Sequence, residues 1–325
     1  DKDQLSSNDK ERYGLISYNK GCVADLRFST PYQLINLSHV ILDTLPSSQS
    51  VGDWANAVMD VFNNNFEKYF QNNSDKFVGP EKATSLNGTV KVTKVSSTAD
   101  AFAAVREDGS VITWGNSSNG GDSTSQAAAL DGDANGDGNA SDTTQDIKEV
   151  YSNMSAFAAL REDGAVITWG YASNGGDPSN AIKDKITNTS ATSTFKKVTD
   201  ISATGSAFAA IRQDGSVVSW GNTTDGGTMS TSVSSALSGS SDPTKVVQIY
   251  ATQSAFAALQ QNGAVVAWGD VNNGGSTADV ATEVNGAVDV IKIFSTNGAF
   301  AALKSDGSVV TWGSANKGGN SSSIL

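Results

Sequence analysis

The sequence predicts a mainly β protein: a β-propeller built from at least five three- to four-stranded repeats, with a small helical N-terminal region. Three observations carry that prediction. The stretch AFAAVREDGSVITWGNSSNGGD, residues 101–122, recurs from Ala156, Ala207, Ala255 and Ala299, and a clear internal period outranks any single-residue motif. The spacing inside each copy is fixed: Phe102 to Trp114, Phe157 to Trp169, Phe208 to Trp220, Phe256 to Trp268 and Phe300 to Trp312 are the same interval, and so is the step from each Trp to the first glycine of a Gly-Gly pair. Between copies the Phe-to-Phe interval drifts through 55, 51, 48 and 44 residues. A rigid unit is therefore joined by linkers that tolerate insertion, as a packed core is joined by surface loops.

Each element follows in order. AFAAV and SVITW alternate and are rich in aromatic and β-branched residues, so they read as two strands. Asp108-Gly109 lies between them, as do Asp163-Gly164, Asp214-Gly215, Asn262-Gly263 and Asp306-Gly307. These pairs tolerate positive φ in a tight hairpin turn. A further short strand precedes each hairpin, at 90–95, 147–150, 195–198, 246–249 and 290–294. The region around the Gly-Gly pair is a place for a fourth. The small Ala103 and Ala104, with their counterparts, suit a strand near the crowded axis of a radial array. The Phe and Trp fill the space between neighbouring sheets. No unit buries its faces alone, so the copies must stack, and units of this length fit propeller blades better than coils of a β-helix. The repeats are placed at about 86–122, 145–177, 193–228, 244–276 and 288–320, within a region 86–325.

The run SAFAALREDGAVITWGYASNGG, residues 155–176, resembles the repeat of the regulator of chromosome condensation family. More specifically, it looks like the tandem propeller repeats of bacterial surface-protein type. The resemblance implies a propeller and says little about function. Two departures stand out. Alanine (Ala101, Ala156, Ala207, Ala255, Ala299) replaces the family's usual histidine, and a Gly-Gly ending replaces Gly-Gln-Leu-Gly. No segment matches the wedge by which the family's founder acts on a small GTPase, so an effector role of that kind is analogy alone. Five copies, against the family's seven, leave ring closure open. The N-terminal segment could supply strands, the ring could be five-bladed, or further repeats could follow. The last copy stops inside its linker, at GGNSSSIL, which favours a fragment of a longer repeat protein.

Composition excludes several classes. Net charge is −12, which repels phosphate backbones and argues against nucleic acid as a partner. No apolar run is long enough for a membrane-spanning helix, so membrane insertion is not expected. The opening residues lack the apolar core of a signal peptide, which is absent or already removed. Cys22 and His39 are single. No internal disulfide is available, histidine-based zinc sites cannot be assembled, and a Ser-His-Asp triad would need His39, which sits in an apolar stretch. Adjacent carboxylates at the hairpin tips, Glu107-Asp108 and Glu162-Asp163, read as turn residues rather than a hydrolytic pair. No catalytic residue is assigned, and the chain is read as a non-enzyme.

One insertion stands apart. DGDANGDGNASD, 131–142, fits the calcium-loop template with Asp131, Asp133, Asn135, Asp137, Asn139 and Asp142 at the ligating positions and Gly136 at the sharp turn. Aspartate at the last position resembles the loops of bacterial dockerin modules. Calcium would order the insertion there. Residues 1–85 contain no repeat. Segments 29–45 and 50–70 have apolar residues at helical spacing, including Trp54, Val58, Val61, Phe62, Phe66 and Tyr69. They are read as a helical cap or docking region.

The expected function is an extracellular or cell-surface binding or adhesion module that displays its propeller surface to a protein or surface glycan. The alternative is a self-assembling structural subunit of a bacterial surface layer or filament, whose partners are other copies of itself.

Overall fold

The computed structural model describes residues 86–131, 146–187, 195–239 and 241–322. The N-terminal segments, Cys22, His39 and all of the calcium-loop positions except Asp131 lie outside that set. The described region is mainly β. Its first strands are β1 (Val92–Ser97), β4 (Ile147–Ser152), β7 (Val198–Ala203), β10 (Val246–Ala251) and β13 (Val290–Ser295). Its second strands are β2 (Ala101–Arg106), β5 (Ala156–Arg161), β8 (Ala207–Arg212), β11 (Ala255–Gln260) and β14 (Ala299–Lys304). The third strands are β3 (Val111–Gly115), β6 (Val166–Gly170), β9 (Val217–Gly221), β12 (Val265–Gly269) and β15 (Val309–Gly313). They form five three-stranded antiparallel sheets, each in chain order.

The register places the Phe opposite the Trp in every hairpin, from Phe102 with Trp114 to Phe300 with Trp312. The facing rings stack at centroid distances of 5.1–5.4 Å. Four of the five phenylalanines, Phe157, Phe208, Phe256 and Phe300, are at most 1 % exposed. Each packs on the face of the preceding sheet that carries the first and third residues of its middle strand. Phe157 and Trp169, for example, join Ala101, Ala103, Val105 and Val111 in one core cluster. The core thus lies between sheets, as the alternation requires.

Three expectations need correction. No fourth strand follows the third among the described residues. The chain turns over Ser117–Asn119 and its counterparts instead, with Gly120, Gly175, Gly274 and Gly318 left-handed. The alanine-rich strand is the middle one, not the one nearest the axis. The first strands are innermost, since β1, β4, β7, β10 and β13 touch in succession. Alanine therefore serves close sheet-to-sheet approach. Finally, two first strands begin later than read: β1 at Val92 and β7 at Val198. Alternation alone does not fix where pairing starts, because the register of each first strand also slips by one residue near its start.

The hairpin turn also differs in type. Gly109 N–H donates to the Arg106 carbonyl at 3.1 Å, and Arg106 N–H to the Ser110 carbonyl at 2.9 Å. Gly109 has φ +76°. This is a wider turn closed by a left-handed glycine, not a two-residue loop. The preceding Asp or Asn is selected for its side chain. Asp108, Asp163, Asp214, Asn262 and Asp306 each accept, through Oδ1, the N–H two residues on, at 2.9–3.1 Å.

Phe208→Ala empties a fully covered site and should cost about 3–5 kcal/mol. Phe102→Ala should cost under about 1.5 kcal/mol, since Phe102 is 44 % exposed. Urea midpoints of the two variants against wild type check the asymmetry.

Candidate interaction surfaces

Three surfaces carry polar or apolar groups in a defined arrangement. The first is made by the turns that join first to second strands. Each opens with Thr98, Asn153, Thr204, Thr252 or Thr296. Thr98 Oγ1 accepts from Ala101 N–H at 3.0 Å and donates to the Asn119 carbonyl at 3.1 Å. Thr204 does the same with Ala207 and Asp225, both at 3.0 Å. Thr252 and Thr296 repeat the pattern with Asn273 and Lys317. Asn153 splits the task between its two atoms: Oδ1 accepts from Ala156 N–H at 2.8 Å, and Nδ2 donates to Asn174 O at 2.7 Å. One acceptor and one donor are required, which explains a column containing only threonine and asparagine.

With that residue fixed, the next one forms the tip: Ala99, Met154, Gly205, Gln253 and Asn297. The tips are tied to one another by backbone hydrogen bonds. Ala99 N–H donates to Met154 O at 2.9 Å, Met154 to Gly205 at 3.1 Å, Gly205 to Gln253 at 2.7 Å and Gln253 to Asn297 at 3.1 Å. Gln253 Nε2 also reaches Met154 Sδ at 3.4 Å, two repeats away. The five turns line one cavity of about 550 Å³. Met154 is 53 % exposed there. The chemistry of the tips varies while their backbone positions do not.

The second surface lies at the hairpin ends of the first two repeats, a cavity of about 490 Å³ lined by Arg106, Glu107, Asp146, Lys148, Glu162 and Asp163 among others. The paired carboxylates serve structure here. Asp108 lies 3.3 Å from Arg106 Nη2, Asp163 pairs with Arg161, and Glu107 stands 3.7 Å from Lys91. Asp131 is the one described residue of the insertion. Among the described residues no three His, Cys, Asp or Glu side chains gather as a metal site.

The third surface is a groove of about 560 Å³ between α1 (Asn180–Ile186) and α2 (Thr231–Ala236), along the outer strand β9. Arg212 Nε, Ser219 Oγ and Trp220 Nε1 are buried there without a hydrogen-bond partner. Asp214 is held by Lys196 and Ser216 instead of Arg212, and burial lowers the Arg212 guanidinium below its ordinary value. Burial works to raise the Asp214 carboxyl. Hydrogen bonds from Lys196 and Ser216 outweigh it and hold the group at about 2. On the inner side of the sheets, Tyr151 donates to Asp200 at 3.0 Å. Burial first, and then the Asp200 charge, raise that phenol.

These sheets and junctions decide the architecture. They make a mainly β array of five three-stranded sheets of the propeller kind. Solved structures similar to the chain include human WBSCR16 (18 % identity, 69 % of this chain and 62 % of that one, TM-score 0.40). They also include the ectodomain of the Arabidopsis thaliana receptor kinase ACR4 (15 %, 69 % and 64 %, 0.38). A third is Prp20p from Saccharomyces cerevisiae, described with its binding to Gsp1p and histones (17 %, 69 % and 57 %, 0.41). The chain spans less than two thirds of the length of each. No family model and no curated protein matches it in sequence. Among the described residues no helix is long and apolar enough to cross a membrane.

The tip column was not singled out in the sequence because it is the least repetitive position of the unit. Its signal is that very variability, set between a Thr/Asn column and an invariant Ala-Phe two residues on.

Asp214 titrates lower in the folded chain than the ordinary carboxylate value of about 3.9, so its stabilisation is complete above that value and is lost as pH falls toward 2. Asp214→Asn keeps the turn acceptor, as Asn262 does in the fourth repeat. Its stability deficit against wild type should be on the order of 1 kcal/mol at neutral pH, allowing for solvent screening. The deficit should vanish near pH 2. Urea melts across that range measure it.

Proposed function

We propose that this chain is a non-enzymatic binding module of the cell surface or extracellular space, presenting its tip face to a protein or surface glycan. The observation that supports the reading is the separation within each turn. One residue is fixed by hydrogen-bond demand, and its neighbour is free to vary at a constant backbone position. Ala99, Met154, Gly205, Gln253 and Asn297 place apolar, amide and bare-backbone groups around one cavity. Binding loops on a rigid scaffold have that design. The single cysteine and single histidine of the chain narrow the available catalytic chemistry and favour a binding role, and the acidic charge disfavours nucleic acid.

Arrays of proteins and glycans probed with the labelled chain should yield a ligand, and Met154→Ala with Gln253→Ala should weaken it at least about tenfold. A ligand whose affinity ignores both substitutions would move the site elsewhere, and no ligand at all would remove the reading.

Calcium is proposed as a structural ion of the insertion, held by Asp131, Asp133, Asn135, Asp137, Asn139 and Asp142, on the spacing of the sequence alone. Titration calorimetry should find one site with a Kd on the order of 0.1–1 mM, lost in Asp131→Ala with Asp133→Ala. Heat signals equal in wild type and double variant would exclude it.

A second reading, a self-assembling structural subunit, is supported by apolar faces on the outermost sheets, where Val95 and Val309 are 57 % and 55 % exposed.

A further inference from the structure

Every internal junction repeats one joint, with its indole hydrogen bond present in three of the four and absent at Trp220. The later repeat contributes the aromatic pair, a first-strand apolar pair and a first-strand N–H. The earlier repeat contributes a glycine turn, a hairpin valine and a hairpin carbonyl. In the junctions, Ile147, Val150 and Phe157 of the second repeat, and their equivalents through Val290, Ile293 and Phe300, are at most 5 % exposed. The hairpin valines Val111, Val166, Val217 and Val265 are at most 7 % exposed.

The outermost sheets each hold one half of this joint. On the first sheet Val92 is 38 %, Val95 57 % and Phe102 44 % exposed. On the fifth, Val309 is 55 % exposed. A Cβ at Gly120, Gly175, Gly226 or Gly274 would lie 2.5–2.9 Å from the next repeat's phenylalanine, whereas one at Gly318 would meet nothing within 4 Å. The polar groups divide in the same way. Trp169, Trp268 and Trp312 donate through Nε1 to the carbonyls of Gly120, Gly226 and Gly274. Trp114 Nε1 and the Gly318 carbonyl have no partner among the described residues. Ile147, Val198, Val246 and Val290 donate to the carbonyls of Gly109, Gly164, Gly215 and Gly263 at 2.9–3.0 Å, and the Gly307 carbonyl receives no such bond. The Asn297 N–H and the Ala99 carbonyl are the unused ends of the tip ladder. Successive first strands touch one another, whereas Phe102 on the first sheet and Val309 on the fifth stay exposed, so these two sheets do not seal against each other as the internal ones do.

The geometry points to head-to-tail association: the Val95, Phe102 and Trp114 face of one molecule seats on the Val309 and Gly318 face of a second copy. In that joint Trp114 Nε1 donates to the Gly318 carbonyl, Val92 N–H to Gly307, and Asn297 N–H to Ala99. Between molecules of residues 1–325 the occupant is a second copy, because the contact continues a joint already present four times in the chain, with matching donors and acceptors. The contact is heterologous, so each added copy presents a fresh face. This inference rests on the structural-subunit reading and specifies its register.

The test is sedimentation velocity on the full chain from low to high micromolar concentration, with Val95→Asp and Val309→Asp. Both residues are more than half exposed, so the variants should keep the wild-type thermal midpoint. Wild type should show a mass that grows with concentration, and each variant should weaken that growth about 100-fold or more. An equimolar mixture of the variants retains one intact donor face and one intact acceptor face. It should form a species of two chains and no larger. A wild-type monomer at every concentration, as coverage of the first face by residues 1–85 would give, overturns both the register and the structural-subunit reading. Association that survives both substitutions, or a mixture that stays monomeric while wild type associates, overturns the register and leaves the reading standing.

Discussion

The structure depends on one contact: an aromatic pair of one repeat seated on the glycine turn of the repeat before it. A Cβ at Gly120 would lie 2.5 Å from Phe157 Cδ2, and one at Gly226 would lie 2.7 Å from Phe256 Cδ2. Both glycines also have φ near +95°, where a side chain is strained. Two independent constraints therefore converge on one atom's absence. The ring stack supplies the apolar area, and the indole N–H of three tryptophans finds the turn carbonyl that close approach brings within reach. Trp220 lacks this bond, so the contact does not depend on it: ring packing holds the joint, and the hydrogen bond refines its angle.

That contact explains why the linkers are free to change. Nothing in the joint involves residues between the Gly-Gly pair and the next first strand, apart from a few apolar plugs. Leu130, Ile186, Leu237 and Val284 each fill the gap beside a sheet from a different linker and are at most 2 % exposed. The third repeat's helix α2 and the fourth repeat's shorter turn both deliver such a plug. Each linker supplies one deeply buried side chain, and linker length differs around it.

The parts of this fold that were legible in the sequence are those set by burial. The Phe, Trp, Ala and Gly columns, the hairpin pairing and the stacking of sheets all follow from residues that cannot be exposed, and their spacing is fixed because their neighbours are also repeats. The parts misread are those set by local hydrogen bonding. The Asp of Asp-Gly acts through its carboxylate, which holds the N–H two residues on, and not through backbone freedom. The starts of β1 and β7 are not legible in the sequence because Val90 and Phe195 extend the apolar run ahead of them, and only pairing with the second strand shows where the ladder begins. The tip residues carry no repeat signal, since no two of the five are alike. The insertion at 131–142 stays where the sequence left it, with Asp131 alone described.

Rigidity and variability are kept apart at the scale of single neighbouring residues, and this bears on how such a chain acquires function. Thr252 is bound at both ends of its hydroxyl, and its loss would leave Ala255 N–H and the Asn273 carbonyl wanting partners. Gln253, one residue on, contributes its backbone to the tip ladder and its side chain to the cavity. A substitution at the first position is paid for in folding, whereas one at the second changes only what the surface offers. Gly205 marks the limit of that freedom, since a Cβ there would lie 2.5 Å from Gln253 Nε2, the end of a flexible side chain that can move aside. Five such positions, tied to each other through the backbone, form a surface whose chemistry can change without disturbing the joints that hold the sheets together.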